Sequence, residues 1–469
     1  MVSATMKILS VQAAPQGSTP IRFISGSISK FVETNGSAVL HIGYGQKKSL
    51  NQRKVTIFLR KIVALAKQNK LTSIAIEWKD LRALTDKKIS DKKLGEVAAV
   101  AWEMANFDFN VYKREPEGGF DSVEEIFVIN APKLARDGIA RGELVAIEVN
   151  SCRSLANTPG GDMTPKILAD CAKTTAQGTK VSVQVIGRKE MEKLGMGAVL
   201  GVAKGSELEP QFIVMEYRGA AKTKKPVVLV GKGVTFDTGG LQVKPGDSMY
   251  EMHMDMSGGA AVMHAIVLAS KLKLKVNVVA LIPAVENSLS GAAVRPGDIL
   301  TSLSGKTIEI LHTDAEGRVI LADAITYAKR YDPKIVVDVA TLTGASLVAL
   351  GTEASAYMTN TERLVPTLQR LGEESGDYVW PFPMWEEYEP LVKGNFADVA
   401  NIPASGNSRH AGVIGGGMFL REFAKNLNCP WVHIDMAPRM TANKDEFLAK
   451  GAVGAPVRLL LGIIEEYGR

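Results

Sequence analysis

His312-Thr313-Asp314-Ala315-Glu316-Gly317-Arg318 brings two carboxylates and a guanidinium into one short stretch. Upstream, Lys306 to Leu311 alternates in the manner of a strand, and after Gly317 the run Val319 to Ile325 begins an apolar helix. Asp314 and Glu316 are therefore expected in a strand-to-helix turn, where residues i and i+2 of an extended segment point to one side. Two anions held side by side repel each other unless a cation neutralises them. An ordinary helix start, with Asp as N-cap and an acidic first turn, would use the same residues.

Outward from this turn, Val227 to Val230 reads as a buried strand running straight into Gly231-Lys232-Gly233-Val234-Thr235-Phe236-Asp237-Thr238-Gly239-Gly240. Glycines on both sides strip steric cover from Lys232, and Asp237 is expected in the same turn. Asp255 lies in Met252 to Gly259, just before the apolar helix Ala260 to Leu272. Asp237, Asp255, Asp314 and Glu316 thus fall with Lys232 at or beside the carboxyl ends of strands, the edge where α/β sheets bind ligands. Such a set suits a metal pair. Gly231-Lys232-Gly233 has neither the spacing of a P-loop nor that of a dinucleotide fingerprint. No histidine pair stands at i, i+4 with a glutamate between, so a zincin helix is excluded, and His264 and His433 read as core or supporting residues.

The 469 residues, 46% hydrophobic and 23% charged, describe a soluble globular chain long enough for two or three domains. No apolar run reaches a membrane span, and Met1 to Ser10 lacks a basic region followed by an apolar block, so a cytoplasmic protein is expected. Cys152, Cys171 and Cys429 have no metal-type spacing and read as reduced. A net charge of +6 is spread through runs such as Lys47-Lys48, Lys87-Lys88, Lys92-Lys93 and Lys222-Thr223-Lys224-Lys225, most simply solvated surface; no nucleic-acid recognition motif accompanies them.

Residues 1–155 read as a smaller N-terminal α/β domain. Its strands are expected at Ile21–Ile24, Ser37–Ile42, Ser73–Ile76 and Glu124–Ile129, and its helices at Asn51–Lys70 and Leu94–Ala105, followed by a connecting helix over Leu134–Leu155. Residues 156–469 follow the break Asn157-Thr158-Pro159-Gly160-Gly161 and form a larger C-terminal domain. There, Thr164-Pro165 starts a helix. Apolar runs at Val181–Ile186, Gln211–Tyr217, Val227–Val230, Val276–Ile282, Ile308–Leu311, Ile335–Val339 and Trp431–Ile434 alternate with helical stretches, which gives a mixed, mostly parallel sheet covered by helices.

These segments resemble the leucyl aminopeptidase (cytosol aminopeptidase) family. The likeness rests on Gly231 to Gly240, Lys244-Pro245, Met252 to Asp255 and Thr313 to Arg318, with Ala340 to Ala345 and Trp431 to Asp435 in support, in the family's order over roughly residues 155–469. It implies a metallo-aminopeptidase that releases leucine-like N-terminal residues from short peptides by means of a hydroxide shared between two metals. One ion would be held by Lys232, Asp237, Asp255 and Glu316, the other by Asp237, Asp314 and Glu316. Zn or Mn would fit, with Co or Mg possible. Lys232 could bind only as a neutral amine, which requires its pKa to fall. The resemblance further assigns Lys244 to the developing oxyanion and Arg318 to a bicarbonate ion. It places Met252, Thr341, Leu342 and Gly344 around the first side chain of the substrate, and implies a homohexamer built as a dimer of trimers.

His253, His312 and Gly161 depart from the family's usual Lys or Arg, Asn, and Asn at those positions. None is an implied ligand, so the departures bear on preference and tuning. A di-metal amidase acting on another amide, and a non-catalytic scaffold or DNA-binding role, are the alternatives.

Overall fold

The computed structural model describes residues 6–34, 37–45, 50–404 and 410–468. The expectation for the Lys47-Lys48 run lies outside the described residues. The chain divides into two compact units, one running to Ser151 and including Ala442–Gly451, the other made of Cys152–Thr441 and the residues from Ala452 onward. The sequence division at 155/156 had no place for the return of Ala442–Gly451, because turn signals read along the chain cannot show which distant segment a loop joins. That segment carries Glu446, whose carboxylate lies 3.7 Å from the Arg60 guanidinium of the first unit.

The first unit holds a six-stranded sheet in the order Lys7–Val11, Glu125–Ile129, Ser73–Glu77, Thr19–Ile24, Ser37–Gly43, Lys30–Thr34. All neighbours are parallel except the last pair. The helix Gln52–Gln68 starts where the Asn51 side chain accepts from Lys54 N, and it buries Val55, Phe58, Leu59, Ile62 and Val63 at the predicted helical spacing. Lys7–Val11 and Lys30–Thr34 were not anticipated; their alternation is short and interrupted by charge.

The second unit is built on a nine-stranded sheet. Its path runs Val379–Pro381, Ser355–Thr359, Trp431–Asp435, Ile335–Ala340, Val227–Gly231, Asn277–Asn287, Gln211–Arg218, Val181–Gly187, with Gly233–Asp237 pairing separately with Asn277–Asn287. Five pairings are parallel and three antiparallel, which bears out a mixed, mostly parallel sheet. Every residue of Val227–Gly231 is buried. Val228 and Val230 share a core with Val319 and Ile320 of the helix Glu316–Ala328 and with Phe419 of the helix Gly412–Ala424. The intervening Val227 and Leu229 face the other way, towards the side covered by the helix Ser257–Lys271. Burial on both faces is why this strand is a continuous apolar run rather than an alternating one.

Three local expectations are corrected. Gly233–Asp237, read as a turn, is a strand in register with Ala284 to Asn287, so Asp237 ends a strand. The strand expected over Lys306–Leu311 covers only Thr307–Glu309, because Leu311 N and His312 N donate to the Asn401 side chain, at 2.8 and 3.2 Å, instead of to a neighbouring strand. Glu316, expected in the turn, is the first residue of the helix Glu316–Ala328. Among the described residues no helix is long and apolar enough to cross a membrane.

Candidate metal centre

The ligand candidates arrive from four places and meet at one edge of the sheet. Lys232 occupies the break between Val227–Gly231 and Gly233–Asp237. Asp237 ends the second of these strands, Asp255 lies two residues before the helix Ser257–Lys271, Asp314 lies two residues before Glu316–Ala328, and Glu316 opens that helix. Asp237, Asp255 and Glu316 are buried, and one carboxylate oxygen from each lies within 4.8 Å of the others. Lys232 Nζ is 2.7 Å from Asp255 Oδ2, 2.8 Å from Glu316 Oε1 and 3.0 Å from the Thr341 carbonyl, to which it donates. Lys244 Nζ lies 2.8 Å from Asp237 Oδ2 and also contacts Asp314 Oδ1.

Supporting groups fix these side chains. Asp237 Oδ1 accepts from Asn287 Nδ2 at 2.7 Å and from Gly239 N at 2.9 Å, while Asn287 Nδ2 also reaches the Thr313 carbonyl at 3.1 Å. Thr341 Oγ1 donates to Asp255 Oδ1 at 2.6 Å. Gln242 and Thr313 clasp the Lys244 loop onto the Asp314 turn, with Gln242 N donating to Thr313 Oγ1 at 2.9 Å and Thr313 N to Gln242 Oε1 at 2.8 Å. Gly239 and Gly240 take positive φ of 87° and 67° to turn this loop back. Gly317 leaves room for the Lys232 side chain, since a Cβ there would stand 2.5 Å from Lys232 Cε.

Crowding four acids in a dry site has electrostatic consequences. Burial pushes the Asp255 carboxyl up, the Lys232 ammonium pulls it down and the Glu316 and Asp237 charges raise it again, leaving it near about 7. Asp314 is pushed up to about 6, by burial first and then by Asp237 against the pull of Lys244. Burial and Asp237 also raise Glu316. Burial alone would lower Lys232, but Asp255, Glu316 and Asp237 outweigh it and hold the ammonium above the ordinary lysine value. The fall expected for Lys232 is therefore not a property of the carboxylate cluster by itself; here the lysine is a counter-charge.

Among the described residues, Asp255 Oδ2, Glu316 Oε1 and Asp314 Oδ1 are engaged only by lysine ammoniums. Two lysines do not balance four carboxylates, so the cluster keeps capacity for further positive charge. Hard carboxylate oxygens with a single amine are a fitting donor set for a divalent ion of the Mg, Mn or Zn kind.

Arg318 is buried, donates from Nη1 to the Asn401 carbonyl at 2.8 Å and, among the described residues, has no hydrogen-bond partner at Nε. Burial brings it down to about 10 against the pull of Glu316 and Asp435, which still leaves it a cation at neutral pH. His312 Nδ1 accepts from Asp314 N at 3.2 Å. Burial, then the charges of Lys244 and Arg318, lower its pKa, so it holds the turn as a neutral ring. His253 is lowered as well, by burial first. A Cβ at Gly161 would meet open space.

Of the residues expected around the substrate side chain, Thr341 has its hydroxyl and carbonyl committed to Asp255 and Lys232. Leu342 N donates to Asp435 Oδ1 at 3.1 Å, Gly344 begins the helix Gly344–Leu350, and Met252 begins the 3-10 turn Met252–Met254. Asn287, Asn401, Gln242 and Asp435 were missed. Single polar residues in apolar or loop surroundings carry no spacing signal, and only the isolated Asn287 at the end of an apolar strand hinted at a buried role.

The catalytic-domain model of the cytosol aminopeptidase family matches residues 150–461. The chain belongs to the cytosol aminopeptidase family. A "Probable cytosol aminopeptidase" of Azoarcus sp. (strain BH72) is 49% identical over 322 residues, 69% of this chain and 63% of that protein's length. Another of the same description, from Saccharophagus degradans, is 39% identical over 442 residues, covering 93% of this chain and 86% of its own. The solved structure described as "Bottromycin maturation enzyme BotP in complex with Mn" superposes with a TM-score of 0.83 at 26% identity, over 97% of this chain and 100% of that one. Family membership and the α/β architecture expected from the sequence agree with these likenesses.

Proposed function

We propose that this protein is a metal-dependent aminopeptidase, which hydrolyses the N-terminal peptide bond of short peptides with a leucine-like preference. The observation that carries this reading is the buried set Asp237, Asp255 and Glu316, with one carboxylate oxygen of each within 4.8 Å of the others, at the ligand-binding edge of the sheet. Lys232, Asp237, Asp255, Asp314 and Glu316 would hold two divalent ions of the Mn or Zn kind. Such ions supply Lewis acidity and a nucleophile drawn from water at neutral pH.

The chain's own groups do the rest. Lys232 would join such a ligand set only as a neutral amine, so it would have to give up its proton on loading. Lys244, whose side chain is 14% exposed, stands at the rim of the cluster with its ammonium bridging Asp237 and Asp314. Once those carboxylates are engaged elsewhere, its N–H groups are free to donate to the carbonyl oxygen as negative charge develops there. Arg318 cannot act as a base, and its buried guanidinium, with no partner at Nε among the described residues, would suit a small oxyanion such as bicarbonate. Asn287, Thr341 and the Gln242–Thr313 clasp hold the acids in position so that little reorganisation is needed.

The relatives' printed names support a cytosolic peptidase, and we extend this to a cytoplasmic homohexamer arranged as a dimer of trimers. Light scattering showing only monomer at working concentration would remove that extension. A panel of aminoacyl amides and N-blocked peptides, assayed with and without chelation, tests the activity. Cleavage of free-amine leucyl and methionyl substrates alone, lost on chelation and restored by Mn, is expected; equal cleavage of N-blocked peptides would replace the exopeptidase with an amidase.

A further inference from the structure

Three elements run away from the metal cluster and end together on the opposite side of the second unit. Val227–Gly231, which ends beside Lys232, begins after Pro226; Asn277–Asn287, which ends at Asn287, begins at Asn277; and the helix that Glu316 opens closes through Lys329–Tyr331. Pro226, Asn277, Arg330 and Tyr331 line one pocket of ≈ 220 Å3. At ~3.3 Å per strand residue, the Val227–Gly231 strand alone puts roughly 16 Å between this pocket and Lys232.

Charge there is one-sided. Arg218, Lys222, Lys224 and Arg330 line the pocket with one carboxylate, Glu216. Glu216 Oε2 accepts from Arg218 Nη2 at 2.6 Å. Among the described residues Lys222, Lys224 and Arg330 have no carboxylate partner, and the Arg330 guanidinium sits 4.5 Å from the centre of the Tyr327 ring. Neighbouring cations repel, so their clustering is stabilised by an anion.

The loop that carries the two lysines is held in place before any ligand arrives. The buried Asn277 side chain accepts from Ala220 N at 3.1 Å and donates to the carbonyls of Ala221 and Lys224 at 2.8 and 2.9 Å. Tyr217 OH donates to the Leu274 carbonyl at 2.8 Å, securing the strand end below. Such pre-organisation lowers the ordering cost of binding. The volume is below the roughly 300–1,000 Å3 of pockets for drug-sized ligands. A planar guanidinium beside two point-charge ammoniums matches tetrahedral phosphate oxygens.

We propose that this pocket, bounded by Arg218, Lys222, Lys224 and Arg330, is a second ligand site that takes a compact phosphate-bearing anion, remote from the metal cluster. Calorimetric titration of the metal-loaded protein with inorganic phosphate and with glycerol 3-phosphate at low ionic strength tests it, alongside a DNA duplex as a third titrant. The variants are K222E/K224E and R330E, all exposed positions, with K189E as the charge-matched control. Saturable one-to-one binding of both small phosphates is expected, weakened at least tenfold in K222E/K224E and in R330E and unchanged in K189E, with peptide hydrolysis at wild-type rate throughout. Absence of saturable binding, equal binding by all variants, or a variant-sensitive response to DNA with none to the small phosphates would each overturn the proposal.

Discussion

Asn287→Ala removes a group that touches no substrate and yet should loosen the metal site. Asn287 is 1% exposed, and its Nδ2 serves two acceptors, Asp237 Oδ1 at 2.7 Å and the Thr313 carbonyl at 3.1 Å. Asp237 keeps its bond from Gly239 N, but the Thr313 carbonyl loses this partner in a buried place, at a cost of about 1–3 kcal/mol. Freed from Asn287, the Asp237 carboxylate can rotate, and the loss of such an outer partner commonly weakens metal affinity by about 10–100-fold. Dialysis against graded free Mn, followed by metal analysis, reads the affinity, and a thermal melt reads the stability. Turnover at saturating metal should return close to wild type, because the ligands themselves remain. An Asn287→Ala protein that binds Mn as tightly as wild type would refute the role assigned to this residue.

Four further outcomes are expected. Asp237→Ala and Glu316→Ala remove the proposed shared ligands, so metal content and activity should fall together in paired metal analysis and steady-state kinetics. Lys244→Ala and Arg318→Ala should leave metal content near wild type and lower kcat by about 10²–10³ for Lys244, with KM little changed; wild-type turnover in Lys244→Ala would end its assignment to the oxyanion. Gly317→Ala drives a methyl to within 2.5 Å of Lys232 Cε, so the variant should fold but take up metal poorly, and normal metal uptake would show that Lys232 can move aside. Glu103, in the first unit, is raised to about 8 by burial and then by Glu143, partly offset by a bond from the Met6 backbone. Its folded pKa is the higher one, so stability is full below the unfolded carboxyl value near ~4.3 and is lost as pH rises through about 8, by on the order of 4 kcal/mol. Glu103→Gln should raise the melting temperature at pH 9 much more than at pH 5; an equal change at both would contradict the titration.

The sequence was most informative where one physical signal dominated. Val227–Gly231 is buried on both faces, so its unbroken apolar run was legible as a buried strand, whereas the glycines beside Lys232 answer to packing: a Cβ at Gly231 would stand 2.6 Å from the Gly258 carbonyl oxygen and one at Gly233 2.7 Å from that of Pro283. The strand Ser355–Thr359 and the edge strand Val379–Pro381 escaped notice because Ser355–Thr359 is settled by pairing with Trp431–Asp435, far along the chain, and Val379–Pro381 has only three paired residues. The turn at Asp314 shows the same limit. Its geometry is set by Asn401, whose side chain accepts from Leu311 and His312 and donates to the His312 carbonyl at 2.6 Å, a contact spanning 89 residues. Local alternation extended the strand to Leu311; a distant amide ended it at Glu309.

That arrangement also explains how a buried, like-charged cluster can be tolerated. Among the described residues Asp237, Asp255, Asp314 and Glu316 have only Lys232 and Lys244 as direct ion-pair partners, so the acids outnumber the cations in a largely buried site. Removing such charges from water costs several kcal/mol each unless geometry and hydrogen bonds compensate. Here three of the four acids stand at or beside the ends of elements packed in the core: Asp237 ends a strand, Asp255 lies two residues before a helix and Glu316 opens one. The helix N-termini favour the negative charge they carry. The packed sheet prevents the carboxylates from relaxing apart, and what remains is a standing deficit of positive charge. On the proposed function, divalent ions would correct that deficit, and the rigidity that makes the cluster costly would favour small, hard cations.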